Sequence, residues 1–267
     1  MIARSRPMRD GPPLFELEAA SLAIGGRVLL QPLSLVLPAG RVIGLIGHNG
    51  SGKSTLVKLL ARQHQPTVGS IQLQGQGVAL YPEREFARHV AYLPQQPAPA
   101  AGLLARELVA FGRYPWHGAL GRFGPRDQQK VEEAMVLTDT ITFADRLVET
   151  LSGGERQRVW LAMLIAQDAQ CLLLDEPISA LDIAHQLEVL ALVKRLCDER
   201  SIGVVIVVHD VNMAACFCDE IIALHSGRLV ARGTPDQVIR PDVLRAIYGC
   251  DIGVMPHPKS GRPLAFA

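Results

Sequence analysis

Charge of one sign is scarce in this chain. Its 267 residues hold 27 Lys plus Arg against 26 Asp plus Glu, a formal net charge of +1. A broad nucleic-acid-binding surface is therefore not expected, although a local basic patch would fit the same totals. Cysteine is sparse and unpaired in sequence. Cys171, Cys197, Cys216, Cys218 and Cys250 make no CxxC motif, and several lie in apolar runs. Buried reduced thiols and a cytosolic compartment are the reading. Cys216 and Cys218 would be half a metal site with no matching Cys/His pair nearby. No apolar run approaches the ~20 residues of a membrane helix. Membrane work would need a span supplied by other chains. The start, MIARSRPMRDGPP, is polar and basic and lacks the apolar centre of a secretory signal. Residues 1–13 are expected to be a flexible N-terminus. Aromatic residues make up only 5% of the chain, so a segment rich in them stands out. No internal repeat is visible.

What is present reads as α/β. From Leu14 to Leu37 short β-rich runs break at Gly25-Gly26 and stop at Pro38-Ala39-Gly40, as antiparallel strands with tight turns do. RVIGLIG (Arg41–Gly47) is apolar without alternation, the pattern of a strand buried on both faces. STLVKLLARQ follows with helical spacing of Leu56, Leu59 and Leu60. VAYLPQQ (Val90–Gln96) is another short strand, and PAPAAG (Pro97–Gly102) changes the texture. Leu103 to Leu151 is patterned as helix. Strand character returns at CLLLDEP (Cys171–Pro177), GVVIVVHD (Gly203–Asp210) and EIIALHSGRLVARG (Glu220–Gly233), the last a hairpin turning at Ser226-Gly227. One domain over 14–254 is expected, with a core of 14–96 and 152–254. A helical insertion fills about 97–151, and a short tail runs over 255–267.

Three motifs carry chemistry. GHNGSGKS (Gly47, His48, Asn49, Gly50, Ser51, Gly52, Lys53, Ser54) matches G-x-x-x-x-G-K-[ST] between a buried strand and a helix. Its glycines let backbone N–H groups surround phosphate oxygens, and the helix start adds its positive dipole end. Lys53 brings a point charge to the β/γ-phosphates and Ser54 a hydroxyl for Mg²⁺. CLLLDE ends a strand in two carboxylates: Asp175 suits the Mg²⁺ shell and Glu176 can polarise a water. LSGGERQR opens a helix at Ser152-Gly153-Gly154, a second helix-terminal anion site.

These motifs, in this order, resemble the ATP-binding cassette family of transport ATPases, over about Leu14 to Met255. The resemblance implies a phosphate-loop nucleoside triphosphatase core with a parallel sheet, an N-terminal antiparallel β subdomain and an inserted α-helical subdomain. It implies ATP and Mg²⁺ as cofactors, with ATP held at Gly47–Thr55. Gln95 looks like the loop glutamine that joins Mg²⁺ and contacts the membrane partner, and His209 like the γ-phosphate switch histidine. Ser179, Ala180, Leu181 and Asp182 look like the dimer-contact loop. A head-to-tail homodimer follows, in which Leu151, Ser152, Gly153, Gly154 and Glu155 of one subunit cover ATP on the other. Two positions depart from the family pattern. Leu22 stands where an aromatic adenine-stacking residue is expected, which leaves GTP use open, and Ile178 replaces a usual threonine.

An importer's ATPase subunit is the first functional reading. A soluble cassette protein acting on ribosomes or DNA usually carries tandem cassettes, basic extensions or coiled coils, none visible here; an exporter's ATPase is separated poorly. RELVAFGRYPWHGALGRFG, FARHVAYLPQQ and ALDIAHQLEVL resemble the ferric hydroxamate import ATPase branch, which also serves vitamin B12, haem and ferric citrate. That implies integral membrane permease partners, indirectly a periplasmic siderophore-binding protein, no nucleic acid, and a place on the cytoplasmic face of the bacterial inner membrane. FGRYPWHGALGRFG (Phe111–Gly124) fits three uses: a metal or haem site, a packing loop, and a mixed packing and docking surface. The third is preferred, with Arg113, Tyr114 and Trp116 as docking residues.

Overall fold

The computed structural model describes residues 13–118, 121–179 and 181–267. Apart from Pro13, the expected flexible N-terminus lies outside them. Strands β1 (Pro13–Ile24) and β2 (Arg27–Pro38) form an antiparallel hairpin. Next come β3 (Val42–Ile46), α1 (Lys53–Leu60), and β4 (Val68–Leu73) with the short β5 (Gln76–Gly77). These complete a four-stranded layer in the order β2-β1-β4-β5. Strands β4 and β5 were not foreseen; VGSIQL has a single buried alternation and no long apolar run.

Helix α2 (Glu83–His89) leads into β6 (Val90–Leu93). Helices α3 (Ala105–Phe111), α4 (Tyr114–His117) and α5 (Pro125–Leu137) follow, then α6 (Gly153–Ala166). The chain returns through β7 (Cys171–Leu174), α7 (Ile183–Arg200), β8 (Gly203–Val207) and α8 (Val211–Phe217). It ends with β9 (Glu220–His225), β10 (Arg228–Gly233), α9 (Pro235–Val238), α10 (Pro241–Tyr248), β11 (Gly253–Pro256) and β12 (Pro263–Phe266).

The central sheet has the order β10-β9-β3-β8-β7-β6, and only β10 runs antiparallel to its neighbour. Every residue of β3, β7 and β8 is buried. Their side chains alternate between two cores. Val42, Ile46, Leu172, Leu174, Val204 and Ile206 meet the helical side. Ile43, Leu45, Cys171, Leu173, Val205 and Val207 meet α1 and the antiparallel layer. Burial on both faces explains the unbroken apolar runs in the sequence. Parallel strands also release their chains at one edge, so the segments after β3, β6, β7 and β8 converge there.

Arg113 is not a surface residue. It is 2% exposed. Its Nε donates to Asp127 Oδ1 at 2.9 Å and its Nη1 to Ala166 O at 2.8 Å, at the end of α6. Gly112 allows this approach: a Cβ there would stand 2.1 Å from Met163 O. The guanidinium thus fastens α3 and α5 to α6, and docking at Arg113 is excluded by its burial. Trp116 packs between the Arg88 and Arg113 guanidiniums, 5.1 and 5.0 Å from its ring centre, and its Nε1 donates to Gln167 O at 2.7 Å.

The segment expected as a tail is ordered. β11 and β12 pair, and Asn212 of α8 reads the Ala265 backbone in both directions, Nδ2 to O at 3.0 Å and N to Oδ1 at 2.8 Å. Arg262 donates to Ala215 O at 3.0 Å, near the end of α8.

Burial pushes the Asp127 carboxyl up, but the Gly124 amide and Arg113 outweigh it and hold it below the usual carboxylate range. A depressed folded pKa gives stability that is present above the unfolded value and lost as pH falls through the folded one. Arg113→Ala should cost about 2–4 kcal/mol, because it opens a cavity at a buried site, frees the Ala166 carbonyl and leaves the part-buried Asp127 carboxylate without its partner. Denaturant titration at neutral pH checks this; a loss below about 1 kcal/mol would mean the pair behaves as a surface one.

Candidate nucleotide-binding site

Beyond β3 the chain turns through Gly47–Gly52 into α1. Gly47 has φ 143°, and a Cβ there would stand 2.2 Å from Leu224 O and 2.7 Å from Ser51 Oγ. Only glycine fits this approach. The loop rests on the β9–β10 turn, where Gly227 N donates to Ser51 O at 2.9 Å. Gly52 caps α1 without a side chain, which leaves the helix's first N–H groups open to an anion.

Lys53 is 4% exposed and lies over the loop, its Nζ donating to Gly47 O at 2.8 Å and His48 O at 3.0 Å. Burial draws its ammonium below the usual lysine range, against the opposing pull of Glu176 and Asp175. Ser54 Oγ donates to Asp175 Oδ1 at 2.8 Å. Burial also raises the Asp175 carboxyl above its usual range, with the Ser54 hydrogen bond opposing.

Glu176 joins two further strand ends. Its Oε1 lies 2.7 Å from His209 Nε2, beyond β8, and its Oε2 accepts from Gln95 Nε2 at 2.7 Å, beyond β6. Glu176 has φ 54°, a left-handed conformation that costs a non-glycine residue about 1–3 kcal/mol and clusters at functional sites.

One cavity of about 710 Å³ gathers His48, Asn49, Gly50, Ser51, Gly52, Lys53, Ser54, Thr55, Gln95, Glu176 and His209. Arg27, Val28, Leu29 and Ser226 complete its wall. Sequence reasoning missed these four as site residues: Arg27–Leu29 follow the Gly25-Gly26 turn, Ser226 lies in the Ser226-Gly227 turn, and none carries a motif of its own. Leu22, expected against the base, does not line the cavity. It is 4% exposed inside the apolar core beneath the antiparallel layer. Register irregularities flank Leu22 in the β1–β2 pairing, so a position counted along SLAIGGR falls on the inward face.

None of Leu151–Glu155 lines this cavity. Leu151 is buried, and Ser152 and Glu155 form a reciprocal cap at the start of α6, with Ser152 N to Glu155 Oε2 at 2.8 Å and Glu155 N to Ser152 Oγ at 3.3 Å. Gly153 and Gly154 open that helix. Ser179 Oγ donates to Glu176 O at 3.1 Å, Leu181 N to Ile178 O at 3.2 Å, and Asp182 caps α7 by accepting from His185 N at 3.0 Å. Ala180 lies outside the described residues. Ile178 is 6% exposed in the helical-side core. Tyr114 and Trp116 are 47% and 36% exposed.

A glycine loop between a buried strand and a helix, with a strand-end aspartate bonded to its serine and a glutamate beside it, defines a phosphate-loop nucleoside triphosphatase. The ABC transporter family profile matches residues 30–179. The chain is 38% identical over 247 residues to the iron(3+)-hydroxamate import ATP-binding protein FhuC of Bacillus subtilis, covering 92% of each. It is 37% identical over 247 residues to the ferric enterobactin transport ATP-binding protein FepC of Escherichia coli (92% and 91%). With the hemin import ATP-binding protein HmuV of Pseudomonas aeruginosa it shares 40% over 259 residues (95% and 100%). Its fold matches a metal-chelate type ABC transporter in an inward-facing conformation, at TM-score 0.84 and 24% identity, over 96% of this chain and 97% of that one. It also matches the dimeric post-hydrolysis cassette MJ0796 bound to ADP and Pi (TM-score 0.72, 26% identity, 82% and 98%). The chain belongs to the ABC transporter family and is an ATP-binding ATPase subunit of it. Among the described residues, no helix is long and apolar enough to cross a membrane.

An acid whose pKa is raised on folding weakens the fold at pH above that value. Asp175→Asn, which removes the buried charge, should therefore raise the nucleotide-free melting temperature at neutral pH while abolishing hydrolysis. Scanning fluorimetry reads the first effect; a lower melting temperature would show that the ionised Asp175–Ser54 bond stabilises more than burial costs.

Proposed function

We propose that this protein energises uptake of ferric hydroxamate-type siderophores, as a homodimer bound to permease subunits on the cytoplasmic face of the bacterial inner membrane. A periplasmic siderophore-binding protein would deliver the cargo. The observation that carries the chemistry is Glu176 held from both sides by Gln95 and His209 in the same cavity as Lys53. The cargo rests on the 38% identity with FhuC across 92% of the chain. A haem cargo is the second reading, favoured by the HmuV match over 95% of the chain.

In this mechanism ATP phosphates enter the loop Gly47–Thr55 and draw Lys53 Nζ away from the Gly47 and His48 carbonyls. Ser54 and Asp175 offer hard oxygen donors that hydrogen-bond each other at 2.8 Å, and Gln95 adds a side-chain carbonyl, a set that fits Mg²⁺. Bound there, Mg²⁺ would neutralise charge on the phosphoryl oxygens. Glu176 orients and deprotonates the attacking water, while His209 and Gln95 hold its carboxylate in line. Leu151–Glu155, Ser179, Leu181 and Asp182 do not line this cavity in one chain, which suits contacts to ATP and to the dimer loop of a second copy. Half-exposed Tyr114 and Trp116 face the permease; Arg113 stays inside.

Glu176→Gln should bind ATP, hydrolyse it about 10²–10⁴-fold more slowly and accumulate as a dimer; unchanged turnover would remove Glu176 as the base. Lys53→Ala should lose nucleotide affinity by direct binding. Deletion of the gene should abolish growth on ferric hydroxamates as sole iron source, and normal growth there with loss on haem would reassign the cargo.

A further inference from the structure

Four buried side-chain polar atoms complete no hydrogen bond among the described residues, and three belong to one neighbourhood: His48 Nε2, Ser51 Oγ and the Tyr248 hydroxyl. His48 and Ser51 belong to the phosphate loop. Tyr248 ends α10, far along the chain and outside every nucleotide motif. Its hydroxyl faces the Gly47 amide. Burial pushes the phenol up to about 12, so it stays a neutral hydroxyl at physiological pH.

A second contact reaches the loop from the same helix. The rings of His48 and His225 meet edge to face at 4.6 Å. His225 Nδ1 lies 2.8 Å from Ile247 O. A carbonyl only accepts, so His225 Nδ1 carries the proton and satisfies one of the α10 carbonyls left open at its C-terminus. Leu244 and Ile247 anchor α10 in the helical-side core, and Gly249, at φ 75°, ends it. The C-terminal helix therefore touches the phosphate loop through Tyr248 directly and through His225 in relay.

These contacts matter because Lys53 now supplies the bonds to Gly47 O and His48 O. An ammonium that turns to a phosphate surrenders both. What then keeps the first residues of the loop in place must come from elsewhere. We propose that Tyr248 and His225 are positioning residues, a brace from the C-terminal helix that holds Gly47 and His48 while Lys53 exchanges loop carbonyls for nucleotide phosphates. The proposal rests on the reading of Gly47–Thr55 as the ATP site.

The test uses the full chain with Tyr248→Phe, His225→Phe and Lys53→Ala, a fluorescent ATP analogue for binding, and steady-state ATP hydrolysis. Tyr248→Phe removes one oxygen and keeps the packed ring. His225→Phe keeps a ring against His48 and removes the donor to Ile247. Each should weaken nucleotide binding about fivefold to tenfold, as His225 loses its bond to the Ile247 carbonyl and Tyr248 its approach to the Gly47 amide. The Michaelis constant should rise alike, with turnover at saturating ATP within about twofold, the signature of lost ground-state binding. A role in packing alone would lower the melting temperature and leave the affinity of the folded protein unchanged. Wild-type affinity in Tyr248→Phe, with binding lost in Lys53→Ala, overturns the brace alone. Wild-type affinity in Lys53→Ala overturns the nucleotide-site reading and the brace with it. Should His225→Phe fail to fold, Tyr248→Phe decides.

Discussion

The sheet register places Val42 beside Val204, Leu172 beside Val204, and Ala91 beside Leu172. These parallel pairings bring the ends of β3, β8, β7 and β6 to one edge. No two of those ends are neighbours in sequence. Gly47, His209, Asp175 with Glu176, and Gln95 all stand just past them, so the site forms where the strands stop. Burial on both faces makes the pairing rigid, because a one-residue slip would exchange the residues serving the two cores.

That edge brings together charges that repel or attract strongly. Lys53, Asp175 and Glu176 share this edge, where burial disfavours the charges of Lys53 and Asp175 and neighbours restore part of the loss. The protein settles the conflict with hydrogen bonds: Lys53 to loop carbonyls, Ser54 to Asp175, and Gln95 to Glu176. Each is a partner that a phosphate or a cation could replace. The resting site is thus already arranged for exchange, which is the sense in which it is preorganised.

Around this centre, packing divides the labour. Arg113 and Trp116 draw the inserted helices onto α6 and α2, while the C-terminal strands clasp α8, the helix that follows His209. The aromatic stretch that stood out in a chain poor in aromatics therefore has two faces. Arg113 and the indole N–H are spent on internal carbonyls, and Tyr114 and Phe111 remain exposed.

The α/β class, the buried parallel strands and the phosphate loop were legible in the sequence because each is a local pattern: unbroken apolar runs, a glycine-lysine-serine spacing, and carboxylates at a strand tip. Tertiary contacts alone decided the rest. Arg113 looks like an anchor until Asp127 and the Ala166 carbonyl, distant in sequence, enclose it. Leu22 looks like a base-stacking position until irregular pairing turns it inward and Arg27–Leu29 form the wall. Residues 255–267 look like a tail, because four-residue strands have no periodicity to read, and their contacts with α8 at Asn212 and Ala215 reveal their place. Local spacing determines which residues can do chemistry; which of them face the cavity depends on register and burial, and those are properties of pairs far apart in the chain.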